Sequence, residues 1–326
     1  MASLDSVILQ YKLDVEGDAV LQYILERETE DLWLFDHSTV YGGIGKFRER
    51  FTVTPIDCPS SFTVLVGQYS SSGRLDSKIV RLDFNPNKIP LSHPWLGGLL
   101  SWLSVHSKFV DLVRYDLAFD MPYPRTDFLL FRDNRLRSFE ASYLNAKSMT
   151  EYLGRRNAVG RFKLYDKTEE SGLDYPLTRA ELTCDGRWGR DAIVKHLPHV
   201  VRLMPFLDSV VDAQKDLQEV DKVVLKLILL NPSQAYLLDT LPYRKKKTLQ
   251  NILLQCSEES PSILLYLSQL LLDSFLDGLE SFVFGLLPSQ IVPNSPAKVK
   301  GEKCCSWCDR SSCDGCLVCA DEEVCL

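Results

Sequence analysis

The sequence lacks an opening of the secretory kind. No basic cluster followed by an apolar run stands near Met1, so no signal peptide is expected. It also lacks an unbroken apolar stretch long enough to cross a bilayer. The most apolar region, SILLYLSQLLLDSFLDGLESFVFGLL, is interrupted by Asp273, Asp277 and Glu280. Three carboxylates in that span argue against membrane insertion and for a buried or partner-facing helix. Positive charge is in deficit: 37 Lys and Arg stand against 44 Asp and Glu, a net charge of −7. No overall basic field therefore draws the chain to nucleic acid. Cysteine is sparse until the last stretch. Cys58, Cys184 and Cys256 are scattered and read as small buried residues, while the rest of the ten lie between Cys304 and Cys325. A secreted disulfide scaffold would spread its cysteines through the fold. The expectation is a cytoplasmic protein, free of membrane, with a separate thiol-rich tail.

What is present fits a soluble globular chain, with 45% apolar and 25% charged residues. Its 326 residues give room for about two domains. AVLQYILERE has helical spacing, and DLWLF, KFRERFTV and SFTVLVGQY read as strands, with YGGIG and SSSG as turns. WLGGLLSWLSVHSKF reads as an apolar helix weakened by its glycine pair. VRYDLAFD, FEASYL, SMTEYLG, GRFKLYDKTE and LTRAELTC read as strands, and RTDFLLFRDNRL as a short helix. From about residue 195 the period becomes helical. SVVDAQKDLQEVDKVVLKLILL is a long amphipathic helix ended by Asn231-Pro232, and YRKKKTLQNILLQC and SILLYLSQLLLDSFLDGLESF follow. PSQIVPNSPAKVKGEK is a linker of Pro, Ser and Lys. The expected fold is α+β: a mainly antiparallel sheet with helices on one face, then a helical accessory domain and a Cys-rich tail. The expected divisions are 1–195, 196–291, 292–303 and 304–326.

Three of the strands share a property. Alternation puts Val113, Tyr115, Leu117 and Phe119 on one face and Arg114, Asp116, Ala118 and Asp120 on the other. Phe162 and Leu164 oppose Arg161, Lys163, Tyr165 and Lys167; Leu177, Arg179, Glu181 and Thr183 share a face. A phenol among three cations, with carboxylates on two other strands, could belong to one sheet face. Two or three Asp and Glu oxygens suit a hard cation, Mg²⁺ or Mn²⁺. The plainer reading is a strand edge protected by Lys and Arg, with the acids paired to Arg114 and Arg179. Locally the chain is basic: Arg125 to Lys167 holds ten Lys or Arg against five Asp or Glu.

VRYDLAFD, then TEYLGRRNAVGRFKLYDKTEE, then LTRAELT resemble the successive blocks of trans-acting rolling-circle replication initiators. These are plasmid and phage Rep proteins related to relaxases of integrative elements. The family pattern runs roughly R-x-D-x-A-x-D, Y-x-G-x-R…R-x-Y-[DN]-K-x-x-E and a strand with R-x-E. The specific part covers about residues 110 to 185, with a looser match back to about 35. The resemblance implies Tyr165 as nucleophile, Asp116 and Glu181 as metal-site carboxylates with Asp120 as helper, and Arg161, Lys163 and Lys167 as contacts to the DNA strand. It implies site-specific nicking and joining through a 5′-phosphotyrosyl link. Since a phenol's ordinary pKa is about 10, the neighbouring cations are expected to favour the phenolate. The implied partners are origin DNA, a host helicase and polymerase, and a second copy in a homodimer. The same chemistry would serve a relaxase in conjugative transfer. A non-catalytic DNA-binding regulator with a metal- or redox-sensing tail is the reading of a different class. The acidic charge and the cysteine tail depart from the family.

Three further segments carry weaker signals. HLPH holds an i, i+3 histidine pair disturbed by Pro198. RKKK, with Lys245 and Lys246, is either a solvated basic turn or a phosphate-contacting patch, as Arg155 and Arg156 are in the central block. In the tail, Cys305, Cys308, Cys313 and Cys316 form two thiol pairs able to hold Zn²⁺, although the spacer between them is short for a zinc ribbon.

Overall fold

The structure, a computed structural model, describes residues 2–28, 33–39, 46–55, 57–130, 139–143, 149–197, 200–202, 211–212, 214–230 and 232–255. It is an α+β fold with a large antiparallel sheet and helices on one face. The strands are β1 (Ala2–Leu13), β2 (Trp33–Thr39), β3 (Phe47–Pro55), β4 (Phe62–Tyr69), β5 (Leu75–Phe84), β6 (Ser107–Met121), β7 (Phe128–Leu130), β8 (Phe139–Tyr143), β9 (Met149–Leu153), β10 (Phe162–Asp166), β11 (Thr178–Asp185) and β12 (Val200–Arg202). Ten of them form one sheet in the order β2-β3-β4-β5-β1-β6-β11-β10-β9-β8, and β12 pairs with β7 in a second sheet.

The described chain forms two compact units. One takes Ile8–Phe84 and Lys88–Asp111; the other takes the residues up to Val7, Asn85–Asn87 and the chain from Leu112 onward. The first unit is built on the β2–β5 meander, whose successive strands pair antiparallel. It carries α1 (Asp18–Glu28) and α2 (Pro94–Val105). Helix α2 starts at Pro94, whose fixed φ suits a first helical turn. It buries Trp95, Leu96, Leu99, Leu100 and Leu103. Its glycine pair is not a weakness of sequence alone. A Cβ on Gly97 would stand 2.8 Å from the Leu91 carbonyl oxygen, so the helix lies close to the chain that leads into it only because that residue is glycine.

In the second unit, β6, β11, β10 and β9 run antiparallel in turn. Tyr115, Leu117, Phe119, Phe162, Leu164, Ala180, Leu182 and Cys184 are fully buried, as their alternation predicts. Fully burying a side chain such as Phe162 or Leu164 contributes about 1.5–3 kcal/mol. Two short helices follow the site strands: α3 (Lys167–Ser171) and α4 (Arg190–His196). Asp166 caps α3 by accepting a bond from the Glu169 amide at 3.2 Å.

Two expectations fail here. RTDFLL, the described part of the expected short helix, is instead a 3-10 turn, Arg125–Asp127, followed by β7. Phe128, Leu129 and Leu130 are all buried, and a short run buried on both faces has no period to separate strand from helix. Of the long helix expected over 209–230, the described residues are helical at 211–212, not at 214–218, and helical again from Glu219 as α5 (Glu219–Leu230). The chain turns between, and the Gln218 carbonyl accepts the first helical bonds from Asp221 and Lys222. Glu219 and Asp221 then sit where the helix dipole favours acids. Helix α6 (Tyr243–Gln255) matches the pattern of YRKKKTLQNILLQ. Leu225 and Ile228 of α5 and Leu249, Ile252 and Leu253 of α6 pack on Leu129 of β7. The segment SILLYLSQLLLDSFLDGLESF and the Cys-rich tail lie outside the described residues.

Candidate active site

The registers of β6, β11, β10 and β9 place the polar residues in cross-strand rows. Asp116 is opposite Thr183. Ala118, Glu181, Lys163 and Tyr152 form the next row, and Asp120, Arg179, Tyr165 and Thr150 the one after. Directly opposed residues touch, and diagonal neighbours lie about 7–8 Å apart. Sequence alternation and pairing together therefore bring Asp116, Asp120, Tyr165 and Glu181 onto neighbouring strands with a shared polar face.

Tyr165 is only 4% exposed, and its hydroxyl donates to Glu181 Oε1 at 2.6 Å. The Lys163 ammonium lies 3.3 Å from Glu181 Oε2 and 3.6 Å from the centre of the Tyr165 ring, and Lys167 lies 5.8 Å from that ring. The cations thus sit over the ring, while the hydroxyl faces a carboxylate. Burial, reinforced by the charge of Glu181, pushes the Tyr165 hydroxyl well above its ordinary range. This corrects the expectation that the cations favour the phenolate: in this arrangement Tyr165 is a neutral hydrogen-bond donor.

The carboxylates differ in what holds them. Arg179 grips Asp120 with two bonds, Nε to Oδ1 at 2.6 Å and Nη2 to Oδ2 at 2.7 Å, and reaches Asp5 Oδ1 at 3.2 Å. Asp116 pairs with Arg114, 3.6 Å from Oδ2, and its carboxylate takes a hydrogen bond from Thr183 on β11, while its buried Oδ1 has no hydrogen-bond partner among the described residues. Burial raises the pKa of both Asp116 and Glu181, and the charge of Asp5 adds to each shift. Asp5, on β1, is the residue that sequence reading misses. Alternation gives it the parity of buried Val7, Leu9, Tyr11 and Leu13, so the pattern alone conceals it; its contact with Arg179 is tertiary.

Among the described residues, no group of three or more His, Cys, Asp or Glu is gathered closely enough to hold a metal ion. Two carboxylates, Asp116 and Glu181, do stand on neighbouring strands, and their oxygens are of the kind a hard cation takes beside phosphate and water. The orphaned Asp116 oxygen is an acceptor that a cation would satisfy.

The basic residues are dispersed. Arg155 and Arg156 are exposed in the turn between β9 and β10, where Gly154, Asn157 and Gly160 all have positive φ. A Cβ on Gly160 would crowd the His196 ring at 3.2 Å, and the positive φ there favours glycine. Arg161 lies over the Tyr152 ring, 4.4 Å from its centre. Lys167 pairs with Glu170 one turn along α3. Lys245 and Lys246 engage Asp221 and Asp239 at 2.8 and 2.7 Å. Arg244 and Lys247 of the same run are exposed. His196 bonds the Ala192 carbonyl through Nδ1 at 2.7 Å and stacks on Trp188 at 4.1 Å, a packing role. His199, Cys305, Cys308, Cys313 and Cys316 lie outside the described residues.

No family model matches the chain. A replication initiation protein of Staphylococcus aureus is 30% identical over 95 residues, which is 29% of this chain and 30% of that protein. The chain is weakly homologous to that initiator. The match spans less than a third of either length. A solved rolling circle replication initiator protein from Geobacillus stearothermophilus aligns with a TM-score of 0.35 and 14% identity, over 70% of this chain and 83% of the other. At that score the two chain paths agree only in part. No helix among the described residues is long and apolar enough to cross a membrane.

Proposed function

We propose that the protein is a site-specific DNA nicking-joining enzyme that initiates rolling-circle replication, with Tyr165 as nucleophile. The observation that carries this reading is the Tyr165–Glu181 hydrogen bond, set among Lys163, Asp116 and Arg179 on three paired strands. The initiator named in the Staphylococcus aureus match favours replication over conjugative transfer.

Tyr165 forms a P–O bond to the scissile phosphorus as the P–O3′ bond breaks. The phenolic proton passes along its bond to Glu181, and the departing 3′ oxygen takes a proton from solvent, to which Glu181 then returns its own. The 5′ phosphate stays on Tyr165 for later rejoining. Glu181 fixes the direction of the phenolic oxygen, which keeps tyrosine ahead of water as the nucleophile. Lys163 holds positive charge beside the reacting atoms, and Arg179 keeps Asp120 and Asp5 in place. Asp116 and Glu181 would supply carboxylate oxygens to Mg²⁺ or Mn²⁺, with phosphate and water oxygens as its further ligands; the ion would polarise the phosphate and offset its developing charge. Origin DNA is the substrate, and a helicase and polymerase act after the nick. The cysteine tail, with Cys305, Cys308, Cys313 and Cys316, would bind Zn²⁺ as a separate module.

The test is incubation with supercoiled DNA of the element that encodes the protein, with Mg²⁺ or Mn²⁺. Expected are a nick at one site and a DNA–protein adduct that maps to Tyr165. Nick-free DNA binding would leave the regulator reading instead.

A further inference from the structure

Tyr152 takes no part in the chemistry above, yet the register places it beside it. It is the Cα partner of Lys163 on β10, and hence a diagonal neighbour of Tyr165. The Arg161 guanidinium covers one face of its ring at 4.4 Å from the centre, and the side chain is half-exposed. Lys163 stands between the two tyrosines, with its ammonium over the Tyr165 ring. The turn after Tyr152 carries exposed Arg155 and Arg156. Aromatic rings joined to cations along a strand are the elements of a single-stranded nucleic-acid track: the cations follow phosphates and the ring stacks on a base whatever its identity.

We infer that the Tyr152–Arg161 pair is a base-stacking platform for the nucleotide next to the scissile phosphate. This rests on the nicking reading and adds to it a pair of substrate-positioning side chains. A base held on Tyr152 brings the neighbouring phosphate past Lys163 toward Tyr165. A paired base could not stack there without leaving its duplex. The ring does the work, and its hydroxyl is dispensable.

The experiment uses the full chain carrying Tyr165→Phe, to stop cleavage, and single-stranded oligonucleotides spanning the mapped nick. Each contains one 2-aminopurine, whose fluorescence falls on stacking. Expected is quenching at one position adjoining the nick. Adding Tyr152→Leu should abolish that quenching and weaken binding about 10-fold, whereas Tyr152→Phe should leave both within about twofold. Tyr152→Leu that binds and quenches like its parent overturns the inference. So does Tyr152→Phe that behaves like the leucine variant, which would point to the hydroxyl. If the chain with Tyr165 intact forms its adduct while no position responds, the platform alone is wrong. If it neither nicks nor binds these strands, the nicking reading falls with it.

Discussion

At the scale of single residues, the site is a balance between burial and charge. Tyr165→Phe deletes one hydrogen bond to a carboxylate and leaves the ring among its cations. The variant should stay folded and form no covalent adduct, as peptide mapping after nicking would show. An adduct that persisted on Tyr152 or exposed Tyr175 would move the nucleophile. Asp116 makes the opposite case for stability. Its folded pKa is raised above the ordinary 3.8 by burial, so its ionised form strains the folded state. The cost is full above the raised pKa and fades as pH falls toward 3.8. Asp116→Asn should therefore raise Tm at neutral pH while losing divalent-cation-dependent nicking. The gain should shrink in thermal scans at progressively acid pH. Of these residues Tyr165, Asp116 and Glu181 were legible, because each breaks a polar face opposite an apolar one. Asp5 was not, because alternation hides it among core residues and its contacts with Arg179 and Asn85 are tertiary. Nor was the direction of the Tyr165 shift, since sequence counts nearby cations but cannot say which end of the phenol they face.

At the scale of elements, strands with clean alternation were readable and buried or interrupted ones were not. β6, β10 and β11 announce themselves by period, whereas β7 is apolar throughout and α5 begins late behind a turn the helical period runs across. Beside the site, β9 is fixed by a buried ion pair between Arg125 and Glu151, 3% and 4% exposed, and Arg125 also donates to the Phe128 carbonyl at 2.8 Å. Glu151→Ala should cost about 3–5 kcal/mol, because it removes the carboxylate that offsets the charge of a buried guanidinium. Arg125→Met with Glu151→Leu should recover most of that loss. Urea denaturation of the two variants and the parent checks both statements; a single variant as stable as the parent would show that the pair is slack.

At the scale of the whole molecule, neither compact unit is one continuous piece of chain. The path passes between them after Val7, Phe84, Asn87 and Asp111. Removal of residues 2–7 would take away Asp5 and the first part of β1. Such a truncation should lower Tm and abolish nicking, while Asp5→Asn should keep the fold and lose most activity. Equal activity in Asp5→Asn and the parent would exclude Asp5 from the site. The tail bears its own prediction. Full-length protein purified under reducing conditions without a metal-binding tag should contain about one zinc per chain by elemental analysis. Metal-free protein would leave a tail of reactive thiols.

The position of β10 has a mechanical consequence. It is hydrogen-bonded to β9 on one side and β11 on the other. A DNA end anchored on Tyr165 would be pulled by every enzyme that unwinds or copies the strand. That tension would enter a strand clamped along both edges, where ladders must shear together, rather than an outer strand that could be peeled one bond at a time. Anchored there, a tethered end could be hauled on through a whole round of copying without tearing its anchor from the sheet.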